Sequence, residues 1–256
     1  MRFLFSLWLV VCPLCSQFET KLEPDTAKAF EAYVKGAEAE LNERWRGRAP
    51  FLSLDDKRLY KGALLIRPAR SRNPEEIPDG LIHDWVGAVY IPNTSVSQVL
   101  AVLQDFDHHS KIYPEIIRSR LLKREANDIS GYWRLERKQQ FVPAVFDVQQ
   151  DAHYEEIAPG KWICRAYAND IREVQDAGAS KEKDYPLGEG LGLLWRMNAF
   201  WSIEAAGNGV LAECRTISLS RSIPSGMGWM IKPFIQNVPR ESLTSTLQNT
   251  RKFVER

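Results

Sequence analysis

The sequence predicts an α+β fold: a curved antiparallel β-meander gripping a long C-terminal helix, with an N-terminal helical extension. Three observations point to it. From Leu81 a strand pattern meets a proline and passes straight into an amphipathic helix. From Ile116 to Arg221 most segments alternate like strands and are separated by short turn signals. After "SIPSGMGW" the pattern becomes helical to the end of the chain.

The chain of 256 residues is long enough to bury a core without disulfides or metals. Its 34 Lys plus Arg nearly balance 33 Asp plus Glu, so no global basic field favours nucleic acid or an anionic membrane. The opening "MRFLFSLWLVVCPLCSQ" has Arg2, an apolar run from Phe3 to Val11, and small and polar residues around Ser16. That run is too short to span a bilayer and has the layout of a signal peptide over 1–17. Cys12 and Cys15 lack the small preceding residue of a lipoprotein site, so cleavage rather than anchoring is expected.

Residues 18–80 read as the extension and its connector. Phe30, Tyr33, Val34, Ala37, Leu41 and Trp45 fall at helical spacing, with Pro24 and Asp25 at the start and Gly47 past the end. "GALLIRPA" reads as a short strand and "RSRNPEEIPDG" as a polar connector. One helix and one strand cannot close a core alone, so no second domain is expected there.

The main domain spans 81–256. Its first strand ends at Pro92; Ser95 and Gln98 have capping-box spacing, and Val96, Val99, Leu100 and Leu103 form an apolar stripe. Strands are expected at Ile116–Lys123, Gly131–Phe141, Ala144–Ile157, Lys161–Asn169, Leu193–Ala205 and Val210–Arg221, joined by "NDISG", "VP", "APG" and "GNG". In Leu193–Ala205, Met197, Ala199, Trp201 and Ile203 are expected to face inward, and Arg196, Asn198, Ser202 and Glu204 to be wet. "DIREVQDAGASKEKDYPLGEGLG" is too long for a hairpin loop and reads as a lid or a solvated excursion. The last helix is expected to break or kink near Pro233 and Pro239.

A long meander curls, and its concave face needs a cover that one helix fills incompletely, leaving a cavity. "DWVGAVYIPNTSVSQVLAVLQDFDHHSKIYPEIIRSRLL" and "SLSRSIPSGMGWMIKPFIQNVPRESLTSTLQNTRKF" resemble the opening and ending of the START-like helix-grip superfamily, over about residues 81–256. Lipid-transfer START domains, polyketide cyclases and coenzyme Q-binding proteins share that fold. The resemblance implies a ligand cavity without naming the ligand.

Candidate chemistry is sparse. Asp105, Asp107, His108 and His109 form a polar cluster, but adjacent histidines point apart and no second cluster completes a ligand set, so a solvated helix end is expected and no metal. There is no G-x-S-x-G elbow. Cys164 and Cys214 lie in strands separated by a third, ~10 Å apart at normal strand spacing, so no disulfide is expected. "GEGLG" lacks the Lys-Ser/Thr and the helix of a phosphate loop.

Trp133, Trp162, Met197, Trp201, Met230 and Phe234 are the expected cavity wall, and Arg172, Glu173 and Arg196 the possible head-group contacts, against a reading as surface ion pairs. The expectation is a secreted or periplasmic protein that binds or transports a lipid or other hydrophobic small molecule without catalysis. No cofactor, nucleic acid or membrane span in the mature chain is expected. A cyclase or aromatase acting on a polyketide-type substrate, or an interaction protein with a closed cavity, are the alternatives.

Overall fold

The structure, a computed structural model, describes residues 19–138, 143–223 and 228–255. The expected leader and Val142 of the "VP" turn fall outside the described residues. In chain order come β1 (Thr20–Lys21), α1 (Pro24–Trp45), β2 (Leu64–Pro68), β3 (Glu75–Ile77), β4 (Gly80–Pro92), α2 (Val96–Gln104) and α3 (His109–Ile112). The strands β5 (Ile116–Glu125), β6 (Asp128–Lys138), β7 (Pro143–Ala158) and β8 (Lys161–Gln175) follow. Two short pairs, β9 (Lys183–Asp184) and β10 (Glu189–Gly190), precede β11 (Arg196–Ala206), β12 (Gly209–Arg221) and α4 (Gly228–Val254).

The main sheet has the order β2-β4-β12-β11-β8-β7-β6-β5, all antiparallel. Short turns force the sequential pairing from β5 to β8 and that of β11 with β12, with Gly160 and Gly207 at positive φ in two of them, while β11 pairs with β8 across the longer 176–195 connection. Sequence order alone does not say where β4 goes: it lies beside β12, paired from Gly80↔Arg221 to Pro92↔Gly209. The Ser95 capping box forms as expected: the Gln98 amide donates to Ser95 Oγ, and the Ser95 amide donates to Gln98 Oε1 at 2.9 Å.

Both faces of the sheet are covered. On one, α4 lies against β4, β12, β2 and α2. On the other, Phe30, Val34, Ala37, Leu41 and Trp45 of α1 pack on Ile82, Ile163, Trp195, Phe200, Ile217 and Leu219. This corrects the expected wet face of β11: Asn198 and Ser202 are buried because α1 lies over them, and Trp45 Nε1 donates to Ser202 Oγ at 2.9 Å. Polar contacts reinforce the docking. Arg215 holds the fully buried Asp84 through two hydrogen bonds of 2.8 and 2.6 Å, Tyr33 of α1 donates to Asp84, and Glu40 of α1 accepts from Arg215. β2 and β3 pair with β4, so the N-terminal segment belongs to this sheet as well.

Two further expectations change. The last helix is one continuous element through Pro233 and Pro239, not broken there. Each proline removes one ladder hydrogen bond, while Ile235, Leu243 and Leu247, all buried, keep one face of the helix on the core. The long loop is shorter than expected because β8 runs on to Gln175 and β9 folds back onto it, Val174 opposite Asp184. Glu173 then accepts from the Leu191 and Leu193 amides at 2.5 and 2.7 Å, and β10 pairs with β1.

Candidate functional site: a cavity between sheet and helix

The sequence places small residues on one face of three neighbouring central strands: Cys164 and Ala166 on β8, Ala199 on β11, and Cys214, Thr216 and Ser218 on β12. Short side chains leave space under α4, and a cavity of about 200 Å³ lies there. Its roof is the face of α4 carrying Ile235, Val238, Pro239, Ser242, Leu243 and Thr246. Leu103, Phe106, His109 and Tyr113 from α2, α3 and the turn between them close one side. Gly131 of β6 makes that closure possible, since a Cβ there would meet the Phe106 ring at 1.8 Å.

Most of the lining is apolar, and its polar groups are few. His109 is 3% exposed. Its Nε2 lies 3.2 Å from the Val102 carbonyl, and its Nδ1 accepts from Trp133 Nε1 at 3.0 Å. These partners fix the neutral tautomer with the proton on Nε2, and burial pulls the pKa down to about 4. His83, also buried, has Nε2 3.2 Å from Ser220 Oγ, and burial again lowers its pKa to about 4. Arg137 pairs with Glu115 at 3.3 Å and donates to Ser242 of α4. Tyr113 donates to or accepts from Thr250 at 3.0 Å, and Tyr154 donates to the Leu103 carbonyl.

The polar cluster at the end of α2 divides. His108 is exposed beside Asp105 at 2.8 Å, and Asp107 accepts from the Leu121 amide, as a solvated helix end does. His109 departs from that expectation and forms part of the cavity wall, because adjacent side chains in a tight helical turn point to different sides. No group of three or more possible metal ligands exists among the described residues. Cys164 and Cys214 are both free and buried, with Trp201 of β11 between them.

Of the expected wall residues, Trp133, Met197 and Trp201 line the cavity. Trp162 packs at the margin of the same core without reaching the cavity. The side chains of Met230 and Phe234 lie outside the described set. The three head-group candidates are not brought together at the cavity. Arg172 makes a surface pair with Asp170 at 2.8 Å, Glu173 is buried in the 191–193 clasp, and Arg196, whose guanidinium donates to the Trp195 carbonyl, lies on the α1 side of the sheet. The residues missed were His83, Gln150, Thr216, Ser218 and the small floor residues. For Thr216, Ser218 and the floor residues the signal was available as alternation of Ala, Cys, Ser and Thr on one strand face, which marks the space a cover helix leaves unfilled; for Gln150 it was the apolar alternation of Phe146, Val148, Ala152 and Tyr154 in which it falls.

No family model and no curated protein matches the sequence. Set beside solved structures, the chain is similar to the STAR-related lipid transfer protein (fragment 25–204) from Xanthomonas axonopodis. The identity is 18% and the TM-score 0.49, over 71% of this chain and 97% of that one. It is also similar to human STARD10, at 12% identity and TM-score 0.45 over 80% and 82% of the two chains. Against the Zhui aromatase/cyclase from Streptomyces sp. R1128 the identity is 11% and the TM-score 0.45, over 68% and 94%. The strand, helix, meander and covering helix seen here are the elements of the expected grip. The fold is α+β, an antiparallel sheet gripping a long C-terminal helix. No helix among the described residues is long and apolar enough to cross a membrane.

Proposed function

We propose that this START-like protein binds and carries a lipid or other hydrophobic small molecule in the cavity between sheet and α4, without chemistry. The observation that carries the reading is the cavity itself: about 200 Å³ over a floor of small side chains, mostly apolar, under a single helix. Each charged or imidazole side chain of the described lining has a partner, which suits holding a ligand more than exchanging protons with it. The leader-like 1–17 segment adds the proposal that binding takes place outside the cytoplasm after cleavage, with 18–80 and 81–256 remaining as one mature chain.

Native mass spectrometry of the exported, mature protein tests both parts. The expected result is a chain lacking the leader and carrying an extractable hydrophobic molecule. After delipidation it should bind a neutral apolar dye such as Nile red. Ala199→Phe, which fills the floor, should abolish dye binding while the far-UV spectrum is kept. A delipidated wild-type protein that binds no apolar probe overturns the reading.

A further inference from the structure

One cross-sheet row of the cavity face is polar at separate points. His83 of β4 stands opposite Ser218 of β12, Ser218 opposite Met197 of β11, and Met197 opposite Ala168 of β8. Beyond Ala168, the register between β8 and β7 shifts from Gln149↔Asp170 to Asp151↔Tyr167, and Gln150 sits at that bulge. The extra residue is on β8, two residues against Gln150, and β7 keeps its alternation, so the carboxamide shares the cavity face with Val148 and Ala152.

Gln150 is 6% exposed and Ser218 is 7% exposed. Neither makes a side-chain hydrogen bond with any of the described residues, whereas the neighbouring Ser220 and His83 bond each other. A carboxamide and a hydroxyl buried in an apolar cavity are costly to leave unpaired, and both offer donor and acceptor positions. Charge is treated differently. The only guanidinium of the described lining, Arg137, already faces Glu115 and Ser242, and both histidines are held neutral by burial. A carboxylate or phosphate brought inside would find no counter-charge, which costs far more than an unmade neutral hydrogen bond.

Resting on the carrier reading above, we propose that the cavity selects a compact, uncharged hydrophobe bearing a hydroxyl or carbonyl, with Gln150 and Ser218 as its polar contacts, and disfavours anionic-headed lipids. Compactness follows from volume: about 200 Å³ is less than the roughly 300–1,000 Å³ of pockets for drug-sized ligands.

Three molecules sharing one apolar skeleton test this: naphthalene, 2-naphthol and 2-naphthoate, each displacing Nile red from the delipidated full mature chain at pH 7. 2-Naphthol should displace at about threefold to tenfold lower concentration than naphthalene, the worth of a neutral hydrogen bond. 2-Naphthoate should need at least about tenfold more than naphthol, because its charge has no partner inside. In the folded double variant Gln150→Leu, Ser218→Ala the naphthol advantage should vanish while naphthalene binding stays or tightens. If the double variant does not fold, the two single variants serve, and at least one must lower the naphthol to naphthalene ratio. Equal displacement by naphthol and naphthalene means that water serves both side chains and overturns the proposal. So does naphthoate matching naphthol, or a variant set that leaves the ratio unchanged. Absence of binding by the dye and all three ligands would instead bring down the carrier reading itself.

Discussion

Glu173 keeps its proton well beyond the range of a solvated glutamate, because burial raises its pKa to about 7 against the pull of the backbone amides it accepts from and of Arg221. The unfolded chain releases the same proton near pH 4.5. Between these values the folded state binds more protons, so stability is full below about pH 4.5 and falls until about pH 7. A shift of that size corresponds to up to about 3 kcal/mol. Urea denaturation from pH 4 to 8 should show this fall, and Glu173→Gln should flatten it; an unchanged slope in the variant would assign the effect elsewhere. The Asp84 and Arg215 pair makes a second residue-scale case. Arg215→Met leaves a fully buried carboxylate with Tyr33 as its remaining side-chain partner and should cost about 3–5 kcal/mol. The double variant Asp84→Leu, Arg215→Met should recover most of that loss in the same urea measurement, since it removes both charges.

At the scale of elements, α1 does for the outer face of the sheet what α4 does for the inner one. Trp45 anchors its C-terminal end, 8% exposed, with the ring under Arg165 at 4.6 Å and the indole N–H on Ser202. Trp45→Ala should therefore lower stability by about 3–5 kcal/mol, readable as a lower urea midpoint, although the residue belongs to the N-terminal extension. A change of less than about 1 kcal/mol would show that α1 rests on the sheet without supporting it. The closure of α2 on β6 makes a sharper demand. Gly131→Ala forces the Phe106 ring to move and should destabilise by about 1–3 kcal/mol, and Phe106→Leu in the same chain should restore part of it.

For the whole molecule, the cavity is a volume that the sheet and α4 leave between them, so occupancy and stability are linked. A ligand bound only by the folded state at a hundred times its dissociation constant adds about 2.7 kcal/mol. Delipidation should lower the melting temperature, and returning the extracted molecule should restore it in proportion to the logarithm of its concentration. Ala199→Phe should melt at one temperature whether or not the ligand is added, because its ring occupies the site.

Periodicity and turn chemistry in the sequence determined the elements: the helix ending at Trp45, the capped helix at Ser95, six strands in sequential order and the long final helix. These are local properties, set by the chain's own side-chain spacing. The expected curl of the meander under a single helix supplied the idea of a cavity, which the resemblance over 81–256 also implied, and of the wall residues proposed from the sequence Trp133, Met197 and Trp201 lie along the cavity. Tertiary structure alone decided that the second face of the sheet is dry too. Asn198 and Ser202 read as solvent-facing until α1, far away in sequence, is laid over them. It decided too that His109 turns inward while His108 stays out, and that β4 closes on β12. Gln150 falls in the apolar alternation of β7, and the cover of α4 over small floor residues makes that face a cavity wall. Burial is a property of what packs on a residue from elsewhere in the chain, and local patterning records it only for the apolar face of an element.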